Sequence, residues 1–198
     1  VRQLVMTEDG WRERMVGIRD GQFVPVAGQL PMDAAVPDHR KQADPGTIIE
    51  TCPGAAAVVS EIAARIAVQG GAALLIDYGS ASEIAGSTLQ AVRAHRKVDP
   101  FADPGEADLT AHVDFSALVP IVQGRGCRWL GTRTQGQWLR AMGIEARAFA
   151  LARAAPDQAD AVRAAQERLV SDDQMGDLFK VFAMAAPAWP DGVGFADD

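Results

Sequence analysis

The sequence predicts an α/β fold in which helices flank both faces of a mostly parallel sheet. Strand-like and helix-like segments alternate along the chain, and the clearest strand-like segment, residues 72–79, is short and apolar on both faces. That segment ends in Asp77, Tyr78 and Gly79. Such an ending is typical of a buried parallel strand whose carboxyl end opens on a ligand crevice.

The first segments predict a β-hairpin region at residues 1–26, because residues 2–7 and 11–18 alternate around the turn residues Glu8-Asp9-Gly10. Pro53 fits the first turn of a helix that precedes the central strand. The elements expected after the hairpin are, in order, a surface loop at 27–46, a strand at 47–50, a helix at 53–69, the strand at 72–79, a strand at 88–92, a helix at 116–122, a strand at 128–134, a helix from 138, one or two helices at 144–170 broken at Pro156, and a strand at 178–184.

The composition is that of a globular protein, with 48% hydrophobic and 23% charged side chains among 198 residues. A formal charge of −7 with few lysines argues against nucleic acid as the main partner and favours a cationic one. No apolar run is long enough to span a bilayer. Cys52 and Cys127 form no CxxC pair, so we expect both to be small buried side chains in a reducing compartment.

A segment rich in ionisable groups follows the strand at 88–92. It opens with His95 among basic side chains, turns on prolines, and then carries Asp99, Asp103, Glu106, Asp108, Thr110, His112 and Asp114. Apolar residues such as Phe101 and Leu109 interrupt it, so it is neither a disordered acidic tail nor a plain connection. The segment therefore predicts a functional site.

Two blocks, Leu-Leu-Ile-Asp-Tyr-Gly at residues 74–79 and the segment at residues 93–115, together resemble the MidA-type methyltransferases. The resemblance extends over essentially the whole chain, through Asp9-Gly10-Trp11-Arg12-Glu13-Arg14, Gln135-Gly136 with Trp138-Leu139, Met142-Gly143-Ile144, Gln174-Met175-Gly176 and Phe179-Lys180-Val181. The family is S-adenosyl-L-methionine-dependent, and its mitochondrial members assist assembly of respiratory complex I. The resemblance implies a class I methyltransferase-like, Rossmann-like fold. It also implies a cytoplasmic location for a bacterial member of the family and a mitochondrial location for a eukaryotic member.

The family's glycine-rich cofactor turn has no counterpart in this sequence. That turn follows the first strand and receives the cofactor on backbone amides, whereas Gly70 and Gly71 precede a strand. The chain also opens on Val1. We therefore expect residues 1–198 to be the carboxyl-terminal portion of a single methyltransferase domain, with a helical insertion at 144–170, its amino-terminal strands missing and no cofactor-binding residue of its own.

The resemblance implies that the substrate is an arginine of a protein partner, such as a complex I subunit. Carboxylates match a planar, cationic guanidinium, so the predicted substrate-binding residues are Asp77, Asp99, Asp103, Glu106, Thr110 and Asp114. The predicted catalytic residues are Tyr78, His95, Asp108 and His112. Either histidine is suited to relay a proton near neutral pH, and Tyr78 to orient the nucleophile. These groups are expected to form one negatively charged pocket beside Gly79.

Each of these residues also has a structural interpretation. Asp99 and Asp103 suit turn caps, Glu106 a solvated charge, and His112 a satisfied core histidine. Asp108 with Thr110 fits an Asx-type turn, and Asp114 fits the cap of a helix that begins near Phe115.

Two further functions stay open at the level of sequence. The acidic segment also suits a non-catalytic module that binds a basic partner segment. A metal site for hydrolysis, with His95, Asp99, Asp103, Asp108, His112 and Asp114 as ligands, has adequate chemistry but no known metal motif. If the amino-terminal strands are absent, the strand at 72–79 presents an open apolar edge, which predicts pairing with another copy, instability, or membership of a longer polypeptide.

Overall fold

The computed structural model describes residues 1–195, which contain strands and helices throughout. The strands are β1 (Arg2–Thr7), β2 (Gly10–Arg19), β3 (Gln22–Pro31), β4 (Ile48–Thr51), β5 (Ala72–Ser80), β6 (Gln90–Arg93), β7 (Arg96–Val98), β8 (Asp108–Thr110), β9 (Val113–Asp114), β10 (Arg128–Thr134) and β11 (Phe179–Ala185). The α-helices are α1 (Pro53–Gln69), α2 (Val119–Gly124), α3 (Gln135–Ala141), α4 (Ile144–Ala154), α5 (Ala159–Val170) and α6 (Met175–Leu178).

The chain forms two compact units, each built from two stretches of sequence. The first unit is Val1–Ala55 with Ile84–His112, and the second is Ala56–Glu83 with Val113–Asp198. The first unit contains only antiparallel strand pairs, and the second contains a mixed sheet with the longer helices. The α/β class predicted from the sequence is therefore correct, whereas the prediction of a mostly parallel sheet is wrong.

The first unit contains two antiparallel sheets. One has the strand order β3-β2-β1-β4, and the other has the order β7-β6-β8. The alternating side chains of β1 and β2 bury Leu4 and Trp11 against Ile49 and Val36, as expected for strands with one face toward a core. The short sheet carries most of the acidic segment.

Strand β3 is longer than the sequence predicts. It continues to Pro31, and short 3₁₀ turns at Asp33–Ala35 and Asp38–Arg40 follow within the region predicted as a loop. Prolines end most strands because they cannot donate a ladder hydrogen bond, but an edge strand tolerates them. Since β3 lies at the edge of its sheet, Pro25 and Pro31 do not end it.

The second unit has a four-stranded sheet in the order β10-β11-β5-β9. Strand β11 is antiparallel to both β10 and β5, and only the short pair of β5 and β9 is parallel. Both faces of β11 are covered. Val181 and Ala183 pack with Phe195 on one face, and the ring of Phe182 stacks on Phe115 at 5.9 Å on the other.

Strand β11, and not β5, is therefore the strand buried on both faces. In β5, Leu74 is 50% exposed and Ile76 is 48% exposed. The reason is the pairing: β11 lines one edge of β5, but β9 pairs only with Gly79 and Ser80 on the other. From Ala72 to Tyr78 the second edge of β5 has no strand partner within residues 1–195.

We expect this open edge to make the isolated chain self-associate, since an unpaired apolar strand edge is a template for another strand. Sedimentation velocity over a range of concentrations measures the effect. The variant Ile76→Lys places a charge on the edge and is expected to reduce association. A compact monomer at every concentration would contradict the prediction.

The helical region at 144–170 forms two helices, α4 and α5, separated at Ala155 and Pro156 as the proline predicts. Helix α3 begins with a capping box in which Thr134 Oγ1 accepts from the Gln137 amide and Gln137 Oε1 accepts from the Thr134 amide, both at 3.2 Å. No helix among the described residues is both long and apolar enough to cross a bilayer.

The two cysteines have different surroundings, so the sequence-based expectation is correct for one only. Cys127 is buried and donates to the Ala63 carbonyl at 3.2 Å, whereas Cys52 is exposed. Burial raises the pKa of the Cys127 thiol, because desolvation disfavours the thiolate.

We expect iodoacetamide to modify Cys52 in the folded chain and Cys127 only after unfolding, as mass spectrometry would show. At about pH 9 the Cys127 thiol of the folded chain should still react slowly, because its raised pKa keeps the thiolate fraction low.

Candidate functional site

Three of the predicted site residues lie in the second unit, Asp77 and Tyr78 near the end of β5 and Asp114 in β9. Asp77 is exposed, and its Oδ1 accepts from the Tyr78 amide at 2.8 Å. The Tyr78 ring is half-buried and meets the Phe179 ring edge-on, with centroids 5.5 Å apart. The phenol is thus fixed by packing at the point where β5 leaves β11, as expected for a side chain at the end of a strand.

Gly79 holds the parallel pairing of β5 and β9 together. It is buried opposite Val113, and a Cβ at this position would overlap the Val113 carbonyl. The close approach requires glycine because no side chain fits between the two backbones. The pairing sets Asp114 opposite Ser80.

Asp114 caps the turn that follows β9. Its Oδ1 accepts from Ser116 Oγ at 2.5 Å and from the Ala117 amide at 3.2 Å, at the start of the 3₁₀ turn Ser116–Leu118. These contacts agree with the capping interpretation of Asp114. A substrate-binding role for this carboxylate stays a prediction.

The acidic loop lies in the first unit, between β7 and β8. Asp99 Oδ1 accepts from the Phe101 amide at 2.9 Å, which is the turn contact expected of an aspartate before Pro100. Asp103 forms an exposed ion pair with Arg93 at 3.3 Å. Glu106 is exposed to solvent. The carboxylates of this loop are therefore exposed to solvent, and turn contacts fix the backbone that carries them.

Asp108 and Thr110 lie in strand β8, which pairs with β6 so that Thr110 is opposite Gln90 and Asp108 is opposite Val92. The extended backbone excludes the Asx-type turn considered for these two residues. His112 follows, half-buried, and its amide donates to Thr88 Oγ1 at 2.9 Å. Strand pairing fixes both ends of this segment.

His95 lies on the exposed turn between β6 and β7, beyond Arg93. His112 lies past the other end of β6, next to Thr88. The two histidines are thus on opposite ends of the short sheet. Asp108 and Thr110 form the two ends of β8, His112 follows Thr110, and the structure separates His95 from His112.

The turn at His95 carries backbone strain. Ala94 has φ of 49° and His95 has φ of 61°, the left-handed conformation that two-residue hairpin turns need and that glycine and asparagine adopt most easily. We expect Ala94→Gly to raise the free energy of unfolding by about 1 kcal/mol by removing this strain. Urea denaturation measures the change. Ala102→Gly, in the same unit without the positive φ, should instead lower stability slightly, and equal effects of the two variants would contradict the prediction.

A hydrogen-bond network at Glu50 was not predicted from the sequence. Pairing of β1 with β4 sets Gln3 opposite Glu50. Glu50 Oε1 accepts from Gln3 Nε2 at 2.5 Å and from the Thr88 amide at 3.0 Å, and Glu50 Oε2 accepts from the Thr88 hydroxyl. Gln3 is 7% exposed and also donates to Ser87 Oγ at 2.7 Å, while Arg14 donates to its carbonyl oxygen.

The network leads directly to a predicted site residue. The Thr88 hydroxyl gives its proton to Glu50 and accepts from the His112 amide. Glu50 therefore orients Thr88, and Thr88 fixes the backbone at His112.

No group of histidine, cysteine, aspartate and glutamate side chains within residues 1–195 is arranged to hold a metal ion, so the geometry gives the metal-hydrolase alternative no support.

The predicted site residues are divided between the two units. Asp77, Tyr78 and Asp114 belong to the second, and the other predicted residues belong to the first. One negatively charged pocket formed by all of these residues would need side chains from both units, and it stays a prediction. Within the first unit, the arrangement offers exposed carboxylates on a strand-supported loop, which is suited to bind a cation.

Comparison with known proteins assigns the chain to a family. Residues 1–133 match the model of the family described as "Putative S-adenosyl-L-methionine-dependent methyltransferase". The mitochondrial protein arginine methyltransferase NDUFAF7 of Xenopus tropicalis is 37% identical over 93% of this chain, and its human counterpart is 34% identical over the same share. The chain spans 43% of the Xenopus protein and 42% of the human one.

Two crystal structures from Burkholderia thailandensis resemble the chain, each at 31% identity. One has a TM-score of 0.82 over 98% of this chain and 53% of its own length. The other, a superfamily member bound to S-adenosyl-homocysteine, has a TM-score of 0.80 over 98% of this chain and 52% of its own length. The family model, the relatives and the structures agree, and the chain belongs to the S-adenosyl-L-methionine-dependent methyltransferase family that includes the NDUFAF7 protein arginine methyltransferases.

Proposed function

We propose that this chain is the substrate-side part of a methyltransferase that modifies an arginine of a partner protein, such as a complex I subunit. The observation that carries the proposal is the strand-supported acidic segment at residues 99–114. The chain that contains it is 37% identical, over 93% of the chain, to a protein arginine methyltransferase. Exposed carboxylates on a defined backbone suit a guanidinium, which is planar, cationic and matched by paired oxygens.

The proposal places the cofactor site of this family outside residues 1–195. Gly70 and Gly71 lie between α1 and β5, ahead of the strand, whereas a glycine-rich cofactor turn follows a strand and opens a helix. We therefore assign no residue of this chain to S-adenosyl-L-methionine. In the proposal a longer polypeptide binds the cofactor, which supplies the methyl group.

The residues of this chain position the arginine and remove its proton. Within the first unit, Asp108 holds the guanidinium by charge, and Tyr78 of the second unit stays a predicted catalytic residue. His112 accepts the proton that the nitrogen loses, since a neutral imidazole nitrogen is a proton acceptor. Glu50 and Thr88 act through His112 by holding its backbone. Positioning and proton removal are the contributions that a methyl transfer requires of an enzyme.

The test joins the chain to the amino-terminal half of the Burkholderia thailandensis relative that binds S-adenosyl-homocysteine. Transfer of a labelled methyl group to an arginine peptide from a complex I subunit is measured, with the arginine replaced by lysine as the control peptide. We expect His112→Gln and Tyr78→Phe each to lower the rate at least about a hundredfold, consistent with loss of acid–base catalysis and orientation. The control Glu8→Gln, an exposed turn residue, should leave the rate unchanged.

No transfer by a folded, cofactor-binding hybrid would overturn the proposal. If the chain alone binds the basic peptide with an affinity that salt weakens and S-adenosyl-L-methionine does not alter, the non-catalytic binding module becomes the better description.

A further inference from the structure

An apolar groove lies in the first unit, and none of its apolar lining residues is assigned a role in the chemistry. It is a cavity of about 240 Å³ between the β2–β3 hairpin and the acidic loop. Its apolar lining includes Val16, Phe23, Leu89, Phe101 and Leu109. Leu109 is 61% exposed and Phe23 is 39% exposed, although both line a concave surface.

The apolar surface continues from the groove onto the hairpin. Ile18 is directly opposite Phe23 in the register of β2 and β3, so the two side chains share a face, and Val16 lies two positions along the same face. Ile18 is 73% exposed and Val16 is 59% exposed. A contiguous apolar surface of this kind marks an interaction site more often than scattered apolar residues do.

The charges around the groove indicate which partner fits. Residues 98–110 contain four carboxylates and no lysine, arginine or histidine. Arg93 pairs with Asp103, and Arg14 lies over the Phe101 ring at 5.7 Å, so these cations are already engaged. Asp103 lines the groove, and the nearby Glu106 is exposed and forms no ion pair among residues 1–195. The groove is thus apolar at its base and negative along the acidic loop.

We propose that this groove docks a segment of the protein substrate in which an apolar side chain is flanked by arginine or lysine. The apolar side chain enters between Phe23, Phe101 and Leu109, and the flanking cation meets Asp103 in the lining and Glu106 beside it. The inference rests on the proposed function, because it takes the occupant to be the protein whose arginine is methylated. It adds a recognition surface to the first unit.

The test measures binding of a fluorescent peptide to the full chain by anisotropy. The peptide carries a Leu-Phe pair flanked on both sides by arginine. Control peptides replace the apolar pair with Gly-Ser, or the arginines with glutamates. We expect Leu109→Thr to weaken binding about tenfold, because it removes an apolar side chain from the contact. Leu30→Thr, at an exposed strand position outside the groove, should change nothing.

The charge contribution is tested separately. Glu106→Gln should weaken binding about twofold and reduce its salt dependence, whereas Glu8→Gln should do neither. No binding by the folded chain, or equal effects of Leu109→Thr and Leu30→Thr, would overturn the proposal. So would self-association that Leu109→Thr abolishes, because the occupant would then be a second copy.

The joined polypeptide separates this inference from the proposed function. If Leu109→Thr raises KM for the protein substrate about tenfold with kcat unchanged, both stand. Methyl transfer by the Leu109→Thr variant with an unchanged KM would contradict the docking proposal and would leave the proposed function intact. Peptide binding with the expected pattern but without methyl transfer would contradict the proposed function and would leave the docking proposal intact.

Discussion

Replacing Gly79 with alanine is expected to lower the free energy of unfolding by about 3 kcal/mol, among the largest effects of any single methyl group in the chain. The added Cβ would overlap the carbonyl of Val113, which is backbone and cannot move aside as a flexible side chain would. Relief requires β9 to separate from β5. Since Asp114 is set opposite Ser80 by the same pairing, its cap on the following turn would also be displaced.

Urea denaturation followed by circular dichroism and by tryptophan fluorescence measures this loss. The matched control is Gly124→Ala at the end of α2, where a Cβ meets nothing within 4 Å. Alanine there is expected to raise stability by up to about 1 kcal/mol, because it has the higher helix propensity. A Gly79→Ala variant as stable as the native chain would show that β5 and β9 do not pair as described.

Strand β5 shows what the sequence could and could not predict about the fold. Its apolar run and polar ending correctly predict a strand, which continues to Ser80, one residue beyond the predicted end at Gly79. The direction of its neighbours depends on which strand pairs with it, and β11 lies a hundred residues further along the chain. A run that is apolar on both faces is equally compatible with the antiparallel pairing observed, so burial of β5 between parallel strands was an incorrect inference.

The site divides in a similar way. Residues 99–114 are adjacent in sequence, so their charge and turn residues identify them directly. Glu50 carries no such local signal, because its partners Gln3 and Thr88 are brought to it by pairing of β1 with β4 and by the chain leading into β6. The turn at Ala94 and His95 was also missed, since alanine does not normally mark a left-handed conformation.

We expect Glu50→Ala to lower the free energy of unfolding by about 3 kcal/mol, because it leaves the buried Gln3 amide and the Thr88 amide without their acceptor. Urea denaturation measures the loss. Glu61→Ala is the matched control, since Glu61 is an exposed carboxylate of α1 paired with Arg65 one helical turn away. Its removal should cost no more than about 0.5 kcal/mol. Similar losses in both variants would contradict a special role for Glu50.

The link from Glu50 to His112 is tested at Thr88. Thr88→Ser keeps the hydroxyl that donates to Glu50 and accepts from the His112 amide, whereas Thr88→Val removes it. In the joined polypeptide we expect Thr88→Val to lower kcat about tenfold with little change in KM, and Thr88→Ser to retain most of the activity. A merely structural role predicts that stability and activity fall together in both variants. Because only the hydroxyl distinguishes the functional pattern, rescue by serine identifies Glu50 and Thr88 as positioning residues for His112.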